Sequence, residues 1–244
     1  MTPPDLAAHI HQQMLAHTDA KFAAGQRRFF QHEVDTYGVR TADLNVLIRD
    51  VARIVKPWPV AQRNALMKLL WQTGKLESGV LVCHVYRRFA KTCAECEFHL
   101  FEKWLERYVR NWAHCDGVSS WLLAACIANQ PELRYQLTAW TESPNRWKRR
   151  AAAVSLLWEA KRGHHTGFIF DIAARLLPHR DDMVEKGVGW LLKESYPARP
   201  DETLAFLMAQ RTTASRLTLR YAAEKMPPAA RDLLLKSPPD GGAC

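Results

Sequence analysis

Apolar residues recur along most of the chain at the spacing of an α-helix. The stripe is clearest at Phe101, Trp104, Leu105, Tyr108 and Val109, then at Val118, Trp121, Leu122 and Ala125, and again at Trp147, Ala151, Val154 and Trp158. Residues 79–86, Gly-Val-Leu-Val-Cys-His-Val-Tyr, are the one segment that could form a strand. The apolar positions on either side continue a helical register, which favours a helix there as well. The pattern predicts an all-α fold.

Residues that commonly begin helices recur roughly every 15–20 positions. Ser143 is predicted as an N-cap with Pro144 at the first helical position, and further starts are predicted at Thr41, Pro59, Pro131, Asp181, Pro200-Asp201, Thr213 and Pro227. Two helices in roughly 35–40 residues is the spacing of HEAT-like helix-pair repeats, which stack into a curved solenoid with an inner groove. We therefore expect one helical-repeat domain over residues 1–236 and a disordered tail over residues 237–244.

The charge of the chain indicates the kind of partner. Its 34 Lys and Arg against 25 Asp and Glu give a formal net charge of +9, which favours an acidic polymer or surface. The excess is concentrated in residues 146–165, where six basic residues accompany one acid, Glu159. A solvated helix face is the alternative interpretation of such a run. We expect the concave groove to be basic.

Other classes of site have little support in the sequence. Cys93 and Cys96 have a zinc-like spacing, but His99 alone cannot complete four ligands, so we favour buried or surface thiols. Glycine-rich phosphate loops, G-x-S-x-G and H-E-x-x-H are missing from the sequence. No signal peptide is evident, and no apolar run is long enough to span a membrane. We expect a cytoplasmic monomer that needs neither metal nor cofactor.

An aromatic residue and an acid lie four positions apart in the segment 111–116, as Trp112 and Asp116. An acid beside a tryptophan, among many cations, is what a site needs to attack a positively charged base held on a phosphate backbone. The alternative role of Asp116 is to cap the helix that carries Trp121. The two roles are compatible if the cap lies on the groove side.

Arg150 and Trp190 are the other side chains that helical geometry distinguishes. Arg150 lies at the edge of its helix's apolar stripe, which should brace its stem, and its position in the first turn suits a phosphate ligand. Trp190 points away from the packing side of its helix, between Lys186 and Lys193, although it could instead pack on a neighbouring helix. Arg146, Lys148 and Arg149 are predicted to be general solvated charges. The remaining tryptophans are predicted to be core residues, namely Trp58, Trp71, Trp104, Trp121, Trp140, Trp147 and Trp158.

Five segments together resemble the AlkD-type DNA alkylation-repair glycosylases, which are built of HEAT-like repeats. In order, they are Tyr-Gly-Val-Arg-Thr at 37–41, Leu-Trp at 70–71, Trp-x-x-x-Asp at 112–116, Ser-Pro-Asn-Arg-Trp-Lys-Arg-Arg-Ala at 143–151, and Lys-Gly-Val-Gly-Trp-Leu-Leu-Lys-Glu at 186–194. The resemblance covers about residues 20–225.

The resemblance implies an enzyme that excises N3- or N7-alkylated purines, such as 3-methyladenine and 7-methylguanine, from double-stranded DNA. It implies that Asp116 is the catalytic carboxylate, that Trp112 and Trp190 are the aromatic walls, and that Arg150 contacts the DNA backbone. The other DNA contacts that we predict are Arg149, Lys148, Lys186, Lys193 and Phe29, the last at a position where an aromatic residue is expected.

Such a site can be sparse, because an alkylated purine is cationic and leaves without protonation. One carboxylate near C1′ can then stabilise the oxocarbenium-like sugar. His114, adjacent in sequence, should point elsewhere. Two alternatives are a non-catalytic helical-repeat protein that binds nucleic acid, which would be expected to lack Asp116, and a protein-interaction scaffold with no affinity for DNA.

Overall fold

The structure is a computed structural model that describes residues 1–30 and 33–236. Within these ranges every regular element is helical, and the extended backbone contributes one isolated bridge, between Thr18 and Val39. The prediction of an all-α fold is confirmed, and the ambiguous segment 79–86 lies within a helix. None of the described helices has both the length and the apolar character required to cross a bilayer. The predicted disordered tail, residues 237–244, lies outside the described residues.

The chain forms two compact units, Met1–Asn129 and Gln130–Cys244. The α-helices of the first unit are α1 (Pro3–Ala16), α2 (Ala20–Arg27), α3 (Thr41–Val55), α4 (Val60–Gln72), α5 (Leu76–Tyr86), α6 (Glu95–Arg107), α7 (Trp112–Gly117) and α8 (Ala124–Asn129). A 3-10 helix at Arg87–Thr92 follows α5, and a π-helical stretch at Val118–Leu123 joins α7 to α8. Whether residues 1–236 behave as one domain stays a prediction.

The second unit contains α9 (Gln136–Trp140), α10 (Arg146–Val154), α11 (Leu157–Ala160), α12 (Thr166–Leu176), α13 (Asp182–Ser195), α14 (Pro200–Ala209), α15 (Arg216–Ala222) and α16 (Pro228–Leu235). Its 3-10 helices are Pro131–Tyr135 and Ala223–Lys225. In each unit one helix is central: α5 packs on α3, α4 and α7, and α13 packs on α10, α12 and α15. Nine residues of each central helix are buried.

Most predicted helix starts are confirmed. The helix α3 begins at Thr41, α14 begins at Pro200, and Asp181 caps α13 by accepting hydrogen bonds from the backbone N–H groups of Met183 and Val184. Prolines 59 and 227 immediately precede α4 and α16, and Pro131 begins a 3-10 helix rather than an α-helix.

Two predicted caps are wrong by two residues. Asn145, not Ser143, caps α10, since its side chain accepts from the backbone N–H of Trp147 at 2.8 Å. Ser143 instead accepts from the N–H of Asn145 at 3.2 Å. Likewise Ser215, not Thr213, caps α15. Several good capping residues stand close together at both places, and composition does not distinguish them.

The tryptophan predictions are correct in part. Trp71, Trp104, Trp140 and Trp147 are buried, as predicted. Trp58 and Trp121 are only half-buried, and Trp158 is 45% exposed with the guanidinium of Arg162 3.9 Å from the centroid of its ring. The prediction that Trp158 is a core residue is wrong, because α10 ends at Val154 and the turn before α11 shifts the helical register.

A buried carboxylate anchors residues 36–39, which overlap the first of the five segments that resemble the repair glycosylases. Glu77, on α5, is 1% exposed and accepts hydrogen bonds from the hydroxyl of Thr36 at 2.6 Å and from the backbone N–H groups of Tyr37, Gly38 and Val39 at 3.0, 2.8 and 3.1 Å. Gly38 has a φ of +79°, and a Cβ there would lie 2.5 Å from the carbonyl oxygen of Asp19. The turn that leads into α3 is therefore fixed by one acid and one glycine.

Candidate functional site

Trp112 and Asp116 occupy the same face of α7, one helical turn apart, and both are half-buried. The helix begins after Asn111, whose side chain accepts from the backbone N–H of His114 at 2.9 Å. Asp116 lies inside the helix, so the alternative in which it caps the helix of Trp121 is wrong.

The indole of Trp112 is held by the end of the α2 segment. Its Nε1–H donates to the backbone carbonyl of Phe29 at 3.3 Å, and the ring of Phe30 stacks on it with centroids 5.3 Å apart and planes at 21°. Phe29, the predicted DNA contact, is 76% exposed. The role of Phe30 could not be predicted, since adjacent aromatic residues carry no local signal that tells which one packs on a distant ring.

Immediately after Asp116 the helix departs from α-helical geometry. Residues Val118–Leu123 are π-helical, and the hydroxyls of Ser119 and Ser120 donate to the carbonyls of Cys115 and Asp116, each at 2.7 Å. Serine hydroxyls that bond the carbonyl four residues earlier commonly accompany such irregularities. The backbone around Asp116 is thereby tied to the following turn.

His114 is directed into the core, as predicted. It is buried and lies edge-on to Trp71, with Nε2 2.9 Å from the carbonyl oxygen of Leu76 and Nδ1 3.2 Å from the side-chain nitrogen of Asn111. These partners assign the proton to Nε2 and leave Nδ1 as an acceptor. Gly79 makes room for the ring, because a Cβ there would overlap Nε2. Burial lowers the pKa of His114 to about 4, so the imidazole is neutral near pH 7 and its proton is engaged.

We expect His114 to make the fold acid-sensitive. A histidine with a pKa of about 4 when folded and an ordinary value near 6.5 when unfolded takes up its proton preferentially in the unfolded chain. Stability should therefore be complete above pH 6.5 and fall by about 3 kcal/mol as the pH drops to about 4. Urea unfolding from pH 7.5 to 4 measures this loss.

A His114→Gln variant is the control for this prediction, because it cannot titrate. It should be less stable than the parent at pH 7.5, yet lose less stability on acidification. Parallel losses in the two proteins would assign the pH dependence to other groups.

In the second unit, Arg150 joins α10 to α13. It is only 6% exposed, its Nη1 donates to the carbonyl of Met183 at 2.6 Å, and its Cγ lies 3.2 Å from the position that a Cβ on Gly187 would take. The predicted bracing of the stem is confirmed, and the burial extends to the whole residue. Its predicted place in the first turn is wrong, because α10 begins at Arg146 and Arg150 is its fifth residue. Its contact with DNA stays a prediction.

The prediction that the neighbouring cations are general solvated charges is wrong for Arg146 and Arg149. Arg146 forms a two-pronged pair with Asp181 at 2.8 Å for both contacts. The guanidinium of Arg149 is largely buried, donates to the carbonyl of Ser143 and lies 3.8 Å from Asp181. Lys148 is half-buried, with its ammonium 5.2 Å from the centroid of Trp140. Asp181, already predicted to begin α13, attracts both arginines.

Trp190 is half-buried on α13, and Met183 and Glu194, which lie on the same side of that helix, are buried. Its Nε1–H donates to Oε1 of Glu194 at 3.2 Å, and Oε2 of Glu194 is 2.6 Å from the ammonium of Lys225. Glu194 ends the resembling segment 186–194, in which no role was predicted for it. The i, i+4 spacing of an indole donor and a carboxylate was the available signal.

The lysines that flank Trp190 are both paired with acids. Lys186 lies 3.1 Å from Asp182, one turn earlier on α13, and Lys193 lies 2.8 Å from Glu224. Lys193 also approaches the ring of Tyr221, at 6.0 Å from its centroid. The charge of this region is thus organised in pairs rather than presented as isolated cations.

The thiol and imidazole groups of the described residues do not assemble with acids into a cluster of three or more that could hold a metal. Cys93 is a buried thiol and Cys96 an exposed one. His164 and His165 lie in the loop before α12, with His165 at a φ of +52°.

Comparison with known proteins gives a consistent assignment. The sequence model of the family described as DNA alkylation repair enzyme matches residues 10–226. A solved structure described as a predicted DNA alkylation repair enzyme from Enterococcus faecalis is similar in fold, with a TM-score of 0.78 at 14% identity, covering 87% of this chain and 98% of that one. No curated protein is similar enough in sequence to count as a match. The chain belongs to the DNA alkylation repair enzyme family.

Proposed function

We propose that the protein is a DNA glycosylase that excises cationic N3- and N7-alkylated purines from double-stranded DNA, in base excision repair. The observation that carries the proposal is the pairing of Asp116 with Trp112 on one face of α7. The indole N–H of Trp112 is bonded to the carbonyl of Phe29, so it does not occupy the Asp116 carboxylate. An aromatic ring held in place next to an acid suits a positively charged base and the positive charge that develops on its sugar.

The proposed reaction is hydrolysis at C1′. The bond from C1′ to the purine nitrogen breaks, and its electron pair neutralises the charge of the alkylated purine. Asp116 stabilises the oxocarbenium-like sugar and orients a water molecule, whose oxygen bonds to C1′. The proton released by water passes to the solvent. Because the leaving group needs no proton, the buried neutral His114 takes no part in the reaction.

Selectivity for charged lesions follows from this chemistry. We expect removal of 7-methylguanine and 3-methyladenine, with no removal of uracil or 1,N6-ethenoadenine, because a neutral base needs an acid that the site does not supply. Cation–π contact adds about 0.5–2 kcal/mol for a cationic base. Duplexes that each carry one lesion, incubated with excess enzyme and scored for abasic sites, provide the measurement.

Efficient excision of uracil or ethenoadenine would contradict the proposed chemistry by revealing acid catalysis. Binding of DNA without release of any base would favour the alternative, a non-catalytic helical-repeat protein. If the protein neither binds DNA nor releases a base, the remaining alternative, a protein-interaction scaffold, would be favoured.

We propose that DNA is held by Arg150, together with Arg149, Lys148, Lys186, Lys193 and the exposed ring of Phe29. For Arg150→Ala we expect weaker binding to all sequences alike, because phosphate contacts carry no sequence information. The slope of log affinity against log salt should fall by about 0.9. Titrations at several salt concentrations measure it.

The matched control is Arg175→Ala, since Arg175 forms an exposed pair with Asp171 on α12. It should leave the salt slope unchanged. A lower melting temperature of Arg150→Ala with an unchanged slope would instead restrict Arg150 to joining α10 and α13, and a larger effect of Arg149→Ala would transfer the phosphate contact to Arg149.

A further inference from the structure

The orientation of Trp190 is set by an acid on its own helix. Glu194 lies one turn after Trp190 on α13, and its Oε1 accepts the indole Nε1–H at 3.2 Å. An indole has a single N–H donor, and an acceptor at a fixed position restricts rotation of the ring about its side-chain bonds. The ring of Trp190 is half-buried, so this restriction determines which face remains accessible.

Glu194 is itself held from other elements of the second unit. It is 7% exposed, and its Oε2 lies 2.6 Å from the ammonium of Lys225, at the end of the 3-10 helix after α15, and 3.9 Å from that of Lys161, after α11. Burial opposes ionisation of Glu194, but the hydrogen bond from Lys225 and the charges of both lysines outweigh it and hold the pKa of the carboxyl below its usual range. The acceptor of the indole is therefore a fixed carboxylate.

The indoles of Trp112 and Trp190 differ in their hydrogen-bond acceptors. Asp116 follows Trp112 at the same spacing as Glu194 follows Trp190. In α7 the indole donates to the carbonyl of Phe29, whereas in α13 it donates to the acid itself. Both oxygens of Glu194 have partners, the indole on one and Lys225 on the other.

We propose that Glu194 is the positioning residue of Trp190: braced by Lys225 and Lys161, it holds the indole so that the ring face meets the cationic purine. The inference rests on the proposed function and on the role of aromatic wall that the family resemblance implies for Trp190. Glu194 acts through Trp190 and does not touch the substrate. Misplacing a contacting group by about 1 Å can cost about 10²-fold in rate, so a ring free to rotate should slow excision measurably.

The first experiment detects the hydrogen bond without reference to activity. In the ¹H–¹⁵N spectrum of the full chain, the indole resonance of Trp190 is identified by its loss in Trp190→Phe. We expect this resonance to shift upfield and exchange faster with water in Glu194→Leu. It should keep most of its shift in Glu194→Gln, whose amide oxygen can still accept. Glu202→Gln, an exposed acid on α14, is the control and should leave it unchanged.

The second experiment is a double-mutant cycle on single-turnover excision of 7-methylguanine. Glu194→Leu and Trp190→Phe should each slow excision on the order of 10- to 100-fold. Because both remove the same interaction, Glu194→Leu should add little in the Trp190→Phe background. Glu194→Gln should restore most of the rate, and DNA affinity should change little in any variant.

Several results would overturn the inference. They are an unchanged Trp190 resonance in Glu194→Leu, rate effects that multiply in the double variant, and parent-like excision by Trp190→Phe. The excision rate of Trp190→Phe can be measured without any change at Glu194, so it tests the inference even if Glu194→Leu does not fold. Failure of the parent to excise any alkylated base would overturn the proposed function instead, and the indole resonance would separately decide whether Glu194 holds Trp190.

Discussion

Asp116→Asn should excise 7-methylguanine about 10²- to 10³-fold more slowly than the parent, while it folds and binds DNA normally. Asparagine keeps the shape of the side chain and removes its charge, and one pre-organised electrostatic group is typically worth about that factor in rate. Since Asn111 caps α7, the substitution removes no helix cap. Single-turnover excision by excess enzyme measures the chemical step directly.

The control is Asp50→Asn, which removes the charge of a half-exposed acid on α3 that pairs with Arg53. It should excise at the parental rate. If Asp116→Asn does so too, Asp116 is not the catalytic carboxylate, and the assignment of chemistry to α7 is wrong.

The largest expected effect on stability comes from Glu77→Ala. The substitution leaves the backbone N–H groups of Tyr37 and Val39 without their buried acceptor, and each such donor costs about 1–3 kcal/mol. The hydroxyl of Thr36 and the N–H of Gly38 keep second acceptors, in Gln26 and Thr36. Water and local relaxation recover part of this, so we expect a loss of about 3–5 kcal/mol. The free energy of unfolding in urea, compared with that of Glu202→Ala at an exposed position, tests the prediction.

Glu77→Gln should fall between the parent and Glu77→Ala, because one oxygen remains as an acceptor. A loss below about 1 kcal/mol in Glu77→Ala would mean that the segment 36–39 keeps its conformation without the acid, contrary to the anchoring that we describe.

Periodicity within single helices accounts for what the sequence could predict. The stripe around Trp104 and Leu105 identified a helix and its buried side, and the capping chemistry of Asp181 identified the start of another. These are interactions among residues a few positions apart. The all-α fold follows from them.

Properties that depend on two elements could not be predicted in this way. Arg150 is buried because α13 covers it at Gly187, where no side chain takes up the space. A helical wheel of α10 alone gives no information about this contact with α13. Trp158 was predicted to be a core residue because it continues the apolar stripe of Trp147, Ala151 and Val154. It is partly exposed because α10 ends at Val154 and the stripe does not continue past that turn. The stacking of Phe30 on Trp112 and the support of Glu194 by Lys225 likewise depend on partners from distant parts of the sequence.

The bond between Trp112 and the carbonyl of Phe29 joins residues 83 positions apart. Contacts of such long sequence separation require closure of a large loop, so they form late relative to the helices that they connect. On the ribosome, the aromatic pair of Trp112 and Phe30 cannot form until α3 to α6 have been synthesised. A chain that begins at α3 would retain Asp116 but not the support of Trp112. Removal of the first 40 residues should therefore impair the candidate site more than it impairs the helices that carry it.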